Sequence, residues 1–192
     1  MNHKILSALL TSVALLAAAA TSSADGTGLP GDPGRFYDGV LPVNPPPRRG
    51  PMPRATVRAP AINLALKAAQ AIAEGCNQYP LGVAVVNAAG APTLIYVPDG
   101  SDPSHGYTAL RKAYTAVTFK APTSQLVAKA QQDAAFGAKI KADPNLMAFS
   151  GGILLKVGDD IIGAIGVSGA EPGGHDEECG LKGLQQIRSL LK

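Results

Sequence analysis

Residues 152–167 read GILLKVGDDIIGAIGV. Two apolar runs of strand length, Gly152–Val157 and Ile161–Val167, flank Gly158-Asp159-Asp160, which turns by composition. The segment reads as a β-hairpin. The pattern occurs once before. Residues 81–87 (LGVAVVN) and 92–97 (PTLIYV) flank Ala88-Ala89-Gly90. Hairpins, rather than strands joined by helical crossovers, imply an antiparallel sheet. Gly163 and Gly166 lie inside a strand. They predict a bulge there, or the close approach of another backbone or a ligand.

Helical periodicity surrounds these hairpins. Ile62, Leu66, Ala69, Ala73 and Cys76 recur at helical spacing and predict a helix over 61–76 with that face inward. Tyr107, Leu110, Tyr114 and Val117 form the stripe of a second helix over 104–119. Thr108, Arg111, Lys112, Thr115 and Thr118 fall on its adjoining face. Ala121-Pro122 stops that helix, and Thr123 is a good N-cap for a third through about Lys141, with Leu126, Ala130 and Ala134 on one side. The last helix begins near His175 and turns Leu181, Leu184, Ile187 and Leu191 inward. The order α-β-β-α-α-β-β-α predicts an α+β domain over 61–192, long enough for one core.

What precedes the domain reads differently. Ile5–Ala20 is a run of small and apolar residues behind Lys4, and Ser22-Ser23-Ala24 offers small residues for a peptidase. Residues 1–24 therefore read as a secretory signal peptide rather than a span, because the apolar run is shorter than the ~20 residues a bilayer needs. The expected location is secreted or periplasmic, with no membrane span after cleavage. Residues 25–60 hold nine prolines and six glycines and read as an extended linker.

Charge follows the same division. The 192 residues carry a net charge of +3, but residues 61–192 hold eleven basic and eleven acidic side chains. The folded part is neutral. With aromatics at 5% and no tryptophan, a nucleic-acid surface is not supported.

Several chemistries are excluded. Gly166-Val167-Ser168-Gly169-Ala170 nearly forms a nucleophile elbow, but Ala170 stands where the last glycine belongs. The glycines at 163, 166 and 169 fit neither a dinucleotide fingerprint nor a phosphate loop. No two histidines stand four apart. Three features remain. His175-Asp176-Glu177-Glu178 joins hard oxygen ligands to one imidazole, suited to a divalent or ferric ion. The same acids equally suit the positive end of a helix. The face Thr108–Arg111–Lys112–Thr115, beside Tyr107 and Tyr114, suits a flat apolar ligand bearing carboxylates, and equally suits a solvated helix face. Cys76 and Cys179 fall at the end of the first helix and the start of the last. An oxidising compartment favours their pairing. Free thiols and an intermolecular bridge remain open.

Arg111-Lys112-Ala113-Tyr114-Thr115-Ala116-Val117 followed by Ala121-Pro122-Thr123-Ser124-Gln125-Leu126 resembles the central signature of the GlcG/HbpS family of haem-binding proteins. Ser150-Gly151-Gly152 and the run Ile162–Ala170 resemble its second signature, and Asp176-Glu177-Glu178 the acidic start of its last helix. The strand Val83–Val86 with Gly90 is similar to its first hairpin. The resemblance implies a profilin-like sheet with helices packed on it, assembled as a homo-oligomer, often an octamer. It implies haem as cofactor, peroxide-dependent haem degradation linked to oxidative stress, and ferric iron on surface acids. For some relatives it implies a membrane sensor kinase as partner, so an extracytoplasmic sensory or interaction module is the alternative function. Thr115 is the implied haem-iron contact, with Tyr114, Arg111 and Lys112 near the ligand. His105, in the loop before this helix, is by type a stronger axial ligand than threonine. Asp176, Glu177, Glu178 and His175 are the implied iron site. A small-molecule enzyme walled by Gly163–Gly169 ranks last, because no acid-base pair accompanies it.

Overall fold

A computed structural model describes residues 57–171 and 174–192. Residues 1–56, where a signal peptide and most of a linker are expected, lie outside the described residues. The elements, in chain order, are α1 (Ile62–Gly75), β1 (Gly82–Asn87), β2 (Pro92–Tyr96), α2 (Pro103–Phe119), α3 (Thr123–Gln132), α4 (Ala134–Ala142), β3 (Gly152–Val157), β4 (Asp160–Ser168) and α5 (His175–Ile187). A single 3-10 turn, Arg188–Leu190, ends the chain. The strands form one sheet in the order β2-β1-β4-β3, antiparallel at every pairing. The protein is an α+β fold. Among the described residues no helix is long and apolar enough to cross a membrane.

Successive strand residues point to opposite faces, and each face carries its own core. Val83, Val85, Ile153, Leu155, Ile165 and Val167 pack with α1 and α5. Ala84, Val86, Leu154 and Ala164 pack with α2. Gly166 lets α2 sit directly on the sheet, since a Cβ there would lie 1.8 Å from the Ala109 carbonyl oxygen. The close backbone approach expected at this glycine is therefore α2 itself. A third cluster, Leu126, Phe136, Ile140 and Leu146, joins α3, α4 and the following segment.

Four details depart from the sequence reading. The inward face of α1 is Ala65, Ala68, Ala69 and Ile72, while Ile62 and Leu66 are 60% and 40% exposed. Small residues face inward because α5 presents Gly183, where a Cβ would meet Ile72 at 2.6 Å and the Ala68 oxygen at 2.8 Å. Leu181 of α5 is exposed for the same reason, its inner face being Gly180, Gly183, Leu184 and Ile187. The helix expected through Lys141 breaks at Asp133, which leaves helical geometry (φ −120°, ψ 99°) and caps α4 by accepting from the Phe136 N–H. Thr123 is not the N-cap of α3; Pro122 holds that position, and Thr123 Oγ1 accepts instead from the Gly152 N–H at 2.7 Å.

The last residues of the proposed linker belong to the fold. The Arg58 carbonyl accepts from the Ala88 N–H, its guanidinium pairs with Asp160, and Pro60 is buried. Cys76 and Cys179 form a disulfide between α1 and α5.

Candidate functional site

The face expected on α2 is not an open face. Arg111, Lys112 and Thr115 are 8%, 4% and 0% exposed, because α2 is sandwiched between the sheet and the layer of α3, α4 and residues 143–151. Thr115 Oγ1 donates to the Arg111 carbonyl at 2.7 Å and accepts from the Met147 N–H at 2.8 Å. Arg111 donates to the Leu146 carbonyl at 3.0 Å. These two side chains fasten the 143–151 segment over the helix. Tyr107, Thr108 and Tyr114 are half-buried, and the Tyr114 ring covers Gly90.

Lys112 serves a different neighbour. Its Nζ donates to the Val167 carbonyl at 3.0 Å and to Asp176 Oδ2 at 2.7 Å, and the side chains are 5% and 12% exposed. Asp176 Oδ1 accepts from the Ala170 N–H at 2.9 Å. A buried charge is tolerable only when paired and hydrogen-bonded, and this pair meets that condition from both sides.

The acidic start of α5 does not converge on one point. Helical residues are rotated by about 100° from one to the next, so each acid faces a different neighbour. Asp176 turns to Lys112. Glu177 accepts from the hydroxyls of Ser124 at 2.9 Å and Ser150 at 2.8 Å, tying α3 and the entry of β3 to α5. Glu178 pairs with His175 at 3.0 Å on the surface. Among the described residues no group of three or more His, Cys, Asp or Glu is disposed to hold a metal ion.

His105 lies in the first turn of α2 and is half-buried. Its Nδ1 is 2.5 Å from the Pro80 carbonyl oxygen. A carbonyl only accepts, so Nδ1 carries the proton and the lone pair of the neutral ring resides on Nε2. That is the tautomer of a histidine prepared to ligate a metal, whose other nitrogen is oriented by an oxygen acceptor. Gly169 closes the same edge of the ring, where a Cβ would lie 2.5 Å from both His105 Nδ1 and the Pro80 oxygen. Tyr79, next to Pro80, stacks on His175 with ring centroids 5.8 Å apart and planes inclined by 19°. The dipeptide Tyr79-Pro80 thus contacts both described histidines. Asp102 caps α2 by accepting from the Ser104 N–H at 2.8 Å. That backbone bond, reinforced by the Ser104 hydroxyl, holds the Asp102 carboxyl below its ordinary value.

Among the expected haem-side residues, His105 and Tyr114 are half-buried, whereas Thr115, Arg111 and Lys112 are engaged inside the protomer. Sequence reasoning missed Tyr79 and Pro80, and quoted Ser124 and Ser150 within the family signatures without giving them a role. A proline carbonyl has no side-chain signature, and the serines act only through contacts distant in sequence.

This architecture, a four-stranded antiparallel sheet with a helix pair on one face and a buried helix on the other, is that of an α+β sandwich domain. The family model described as haem-degrading protein HbpS-like matches residues 59–185. The chain belongs to that family. A doubly substituted HbpS of Streptomyces reticuli is 30% identical, with TM-score 0.61, covering 74% of this chain and 95% of that one. The ORFY protein of Klebsiella pneumoniae (23% identity, TM-score 0.64, 74% of this chain and 100% of that one) shares the fold. So does a PduOC structure in complex with haem (24% identity, TM-score 0.61, 67% and 95%). Comparison with curated protein sequences gives no match.

Proposed function

We propose that this protein binds haem outside the cytoplasm, where His105 would hold the iron through Nε2, and supports peroxide-dependent haem degradation. Membership of the HbpS-like family supports haem as the ligand. The observation that carries the choice of His105 is the Nδ1–H donated to the Pro80 carbonyl, which fixes the ring and leaves its second nitrogen as the donor. Thr115 would have to give up two hydrogen bonds to reach an iron, and hydroxyl oxygen is the poorer ligand. The iron of bound haem supplies the peroxide chemistry. The protein's residues do the rest: Pro80 and Gly169 hold the imidazole, and half-buried Tyr107 offers apolar surface in the same helix. The Cys76–Cys179 disulfide supports an oxidising compartment. The exposed Ile62 and Leu66 on the outer face of α1 support association with further copies of the chain.

The test is a haem titration of residues 57–192 followed by absorbance, beside His105→Ala and Thr115→Val. The expected result is a saturable Soret shift that His105→Ala removes and Thr115→Val retains. No saturation in the parent protein refutes haem binding. Loss in Thr115→Val with retention in His105→Ala refutes the assignment of the ligand.

A further inference from the structure

We infer that the buried Lys112–Asp176 pair is a positioning element for the His105 imidazole, acting through the turn after β4. The inference rests on the haem reading only for its consequence in binding; the positioning itself is a property of the free protein.

The connection runs through four residues of main chain. Lys112 Nζ holds the Val167 carbonyl, and Asp176, paired to the same Nζ, holds the Ala170 N–H. One ion pair therefore grips both ends of the segment 167–170. Gly169 lies between the grips with φ +110°, a conformation L side chains rarely adopt. Its α-carbon forms the wall against His105, and a Cβ added to it would fall 2.5 Å from both His105 Nδ1 and the Pro80 oxygen. The ring edge that donates to Pro80 is thus bounded by a turn whose place is set by Lys112 and Asp176.

A second observation agrees. Gly151, at φ +121°, leaves the space the pair occupies: a Cβ there would meet the Val167 oxygen at 2.5 Å, Asp176 Cβ at 2.8 Å and Lys112 Cδ at 3.3 Å. The Gly151 carbonyl also accepts from the Val167 N–H. The serine-glycine-glycine entry to β3 thereby makes room for a pair that reaches, through one turn, the histidine at the start of α2.

The experiment reads the tautomer of His105 by long-range nitrogen–proton NMR in the haem-free protein. Glu178→Gln, which disturbs the His175 pair at the same helix start but not this turn, is the control. In the parent protein His105 is expected as the single Nδ1–H form. Asp176→Asn should turn His105 into a mixture of tautomers where Glu178→Gln leaves it single, and haem affinity should fall about 10-fold, as for loss of an orienting partner. Loss of stability alone would not move the ring nitrogens of one histidine selectively. If Asp176→Asn does not fold, Gly169→Ala tests the same wall, with the same expectation for His105. A folded variant with unchanged His105 signals overturns the inference. Tautomer change in a protein that binds no haem upholds the positioning and refutes the proposed function.

Discussion

Reduction of the Cys76–Cys179 bridge should cost this domain much of its stability. The bridge spans 103 residues of chain, joins Cα atoms 6.0 Å apart, and its two residues are 2% and 1% exposed. It closes nearly the whole domain into one loop. In the chain-entropy account a loop of that length removes about 16 cal/mol/K from the unfolded ensemble, or about 4.7 kcal/mol at 25 °C. With a urea dependence of about 2 kcal/mol/M for a domain of this size, the unfolding midpoint should fall by about 2 M on reduction. The assay is equilibrium urea unfolding of residues 57–192, with and without dithiothreitol, followed by circular dichroism. Comparing one sequence in two redox states leaves the packing of α1 on α5 otherwise unaltered. A midpoint shift below about 0.5 M would refute the reasoning, since the unfolded chain would then gain little freedom from opening the loop.

Replacing Gly183 by valine should destabilise by about 1–3 kcal/mol, because its side chain would press on Ile72 and the Ala68 carbonyl; urea midpoints check it. Thr115→Val keeps the shape but leaves the Met147 N–H without its acceptor, so a loss of about 1–3 kcal/mol is expected together with faster amide exchange at Met147. An unchanged exchange rate would count against the fastening role. Asp102→Asn tests the lowered carboxyl at the start of α2. A carboxylate held low in the folded state contributes stability above its ordinary range and loses it as pH falls through the folded value. The stability gap between parent and Asp102→Asn should therefore shrink between about pH 5 and about pH 2, and a gap constant over that range in thermal melts would contradict the assignment.

The sheet was legible because its strands are short apolar runs punctuated by glycine and aspartate turns, a signal complete within each segment. The orientation of α1 and α5 was not. Reading Ile62, Leu66 and Leu181 as inward assumes that size decides burial. Here the two helices meet through Ala68, Ile72 and Gly183, and the larger side chains are displaced to the surface. Alanines 65, 68 and 69 with Gly183 carried that information, but only as a relation between segments more than 100 residues apart. The break at Asp133 was legible in principle, since aspartate is a good cap; its neighbours are good helix formers and masked it.

The polar face of α2 teaches a different lesson. Arg111, Lys112 and Thr115 stand at the spacing of a solvated stripe, and nothing local distinguishes them from one. Their burial follows from partners 35, 64 and 32 residues away, in Leu146, Asp176 and Met147. Each group satisfied in this way is removed from the set available to a ligand, because releasing it would leave a buried polar atom unpaired at a cost of about 1–3 kcal/mol. The middle of α2 is thus occupied with holding the molecule together. Under the proposed function, chemistry directed at a ligand would fall to the end of the helix, where His105 is half-buried and its Nδ1 is turned to a backbone carbonyl. The signature residues of the central helix and the ligating residue need not be the same residues. On the reading proposed above, the Lys112–Asp176 pair links them through Gly169.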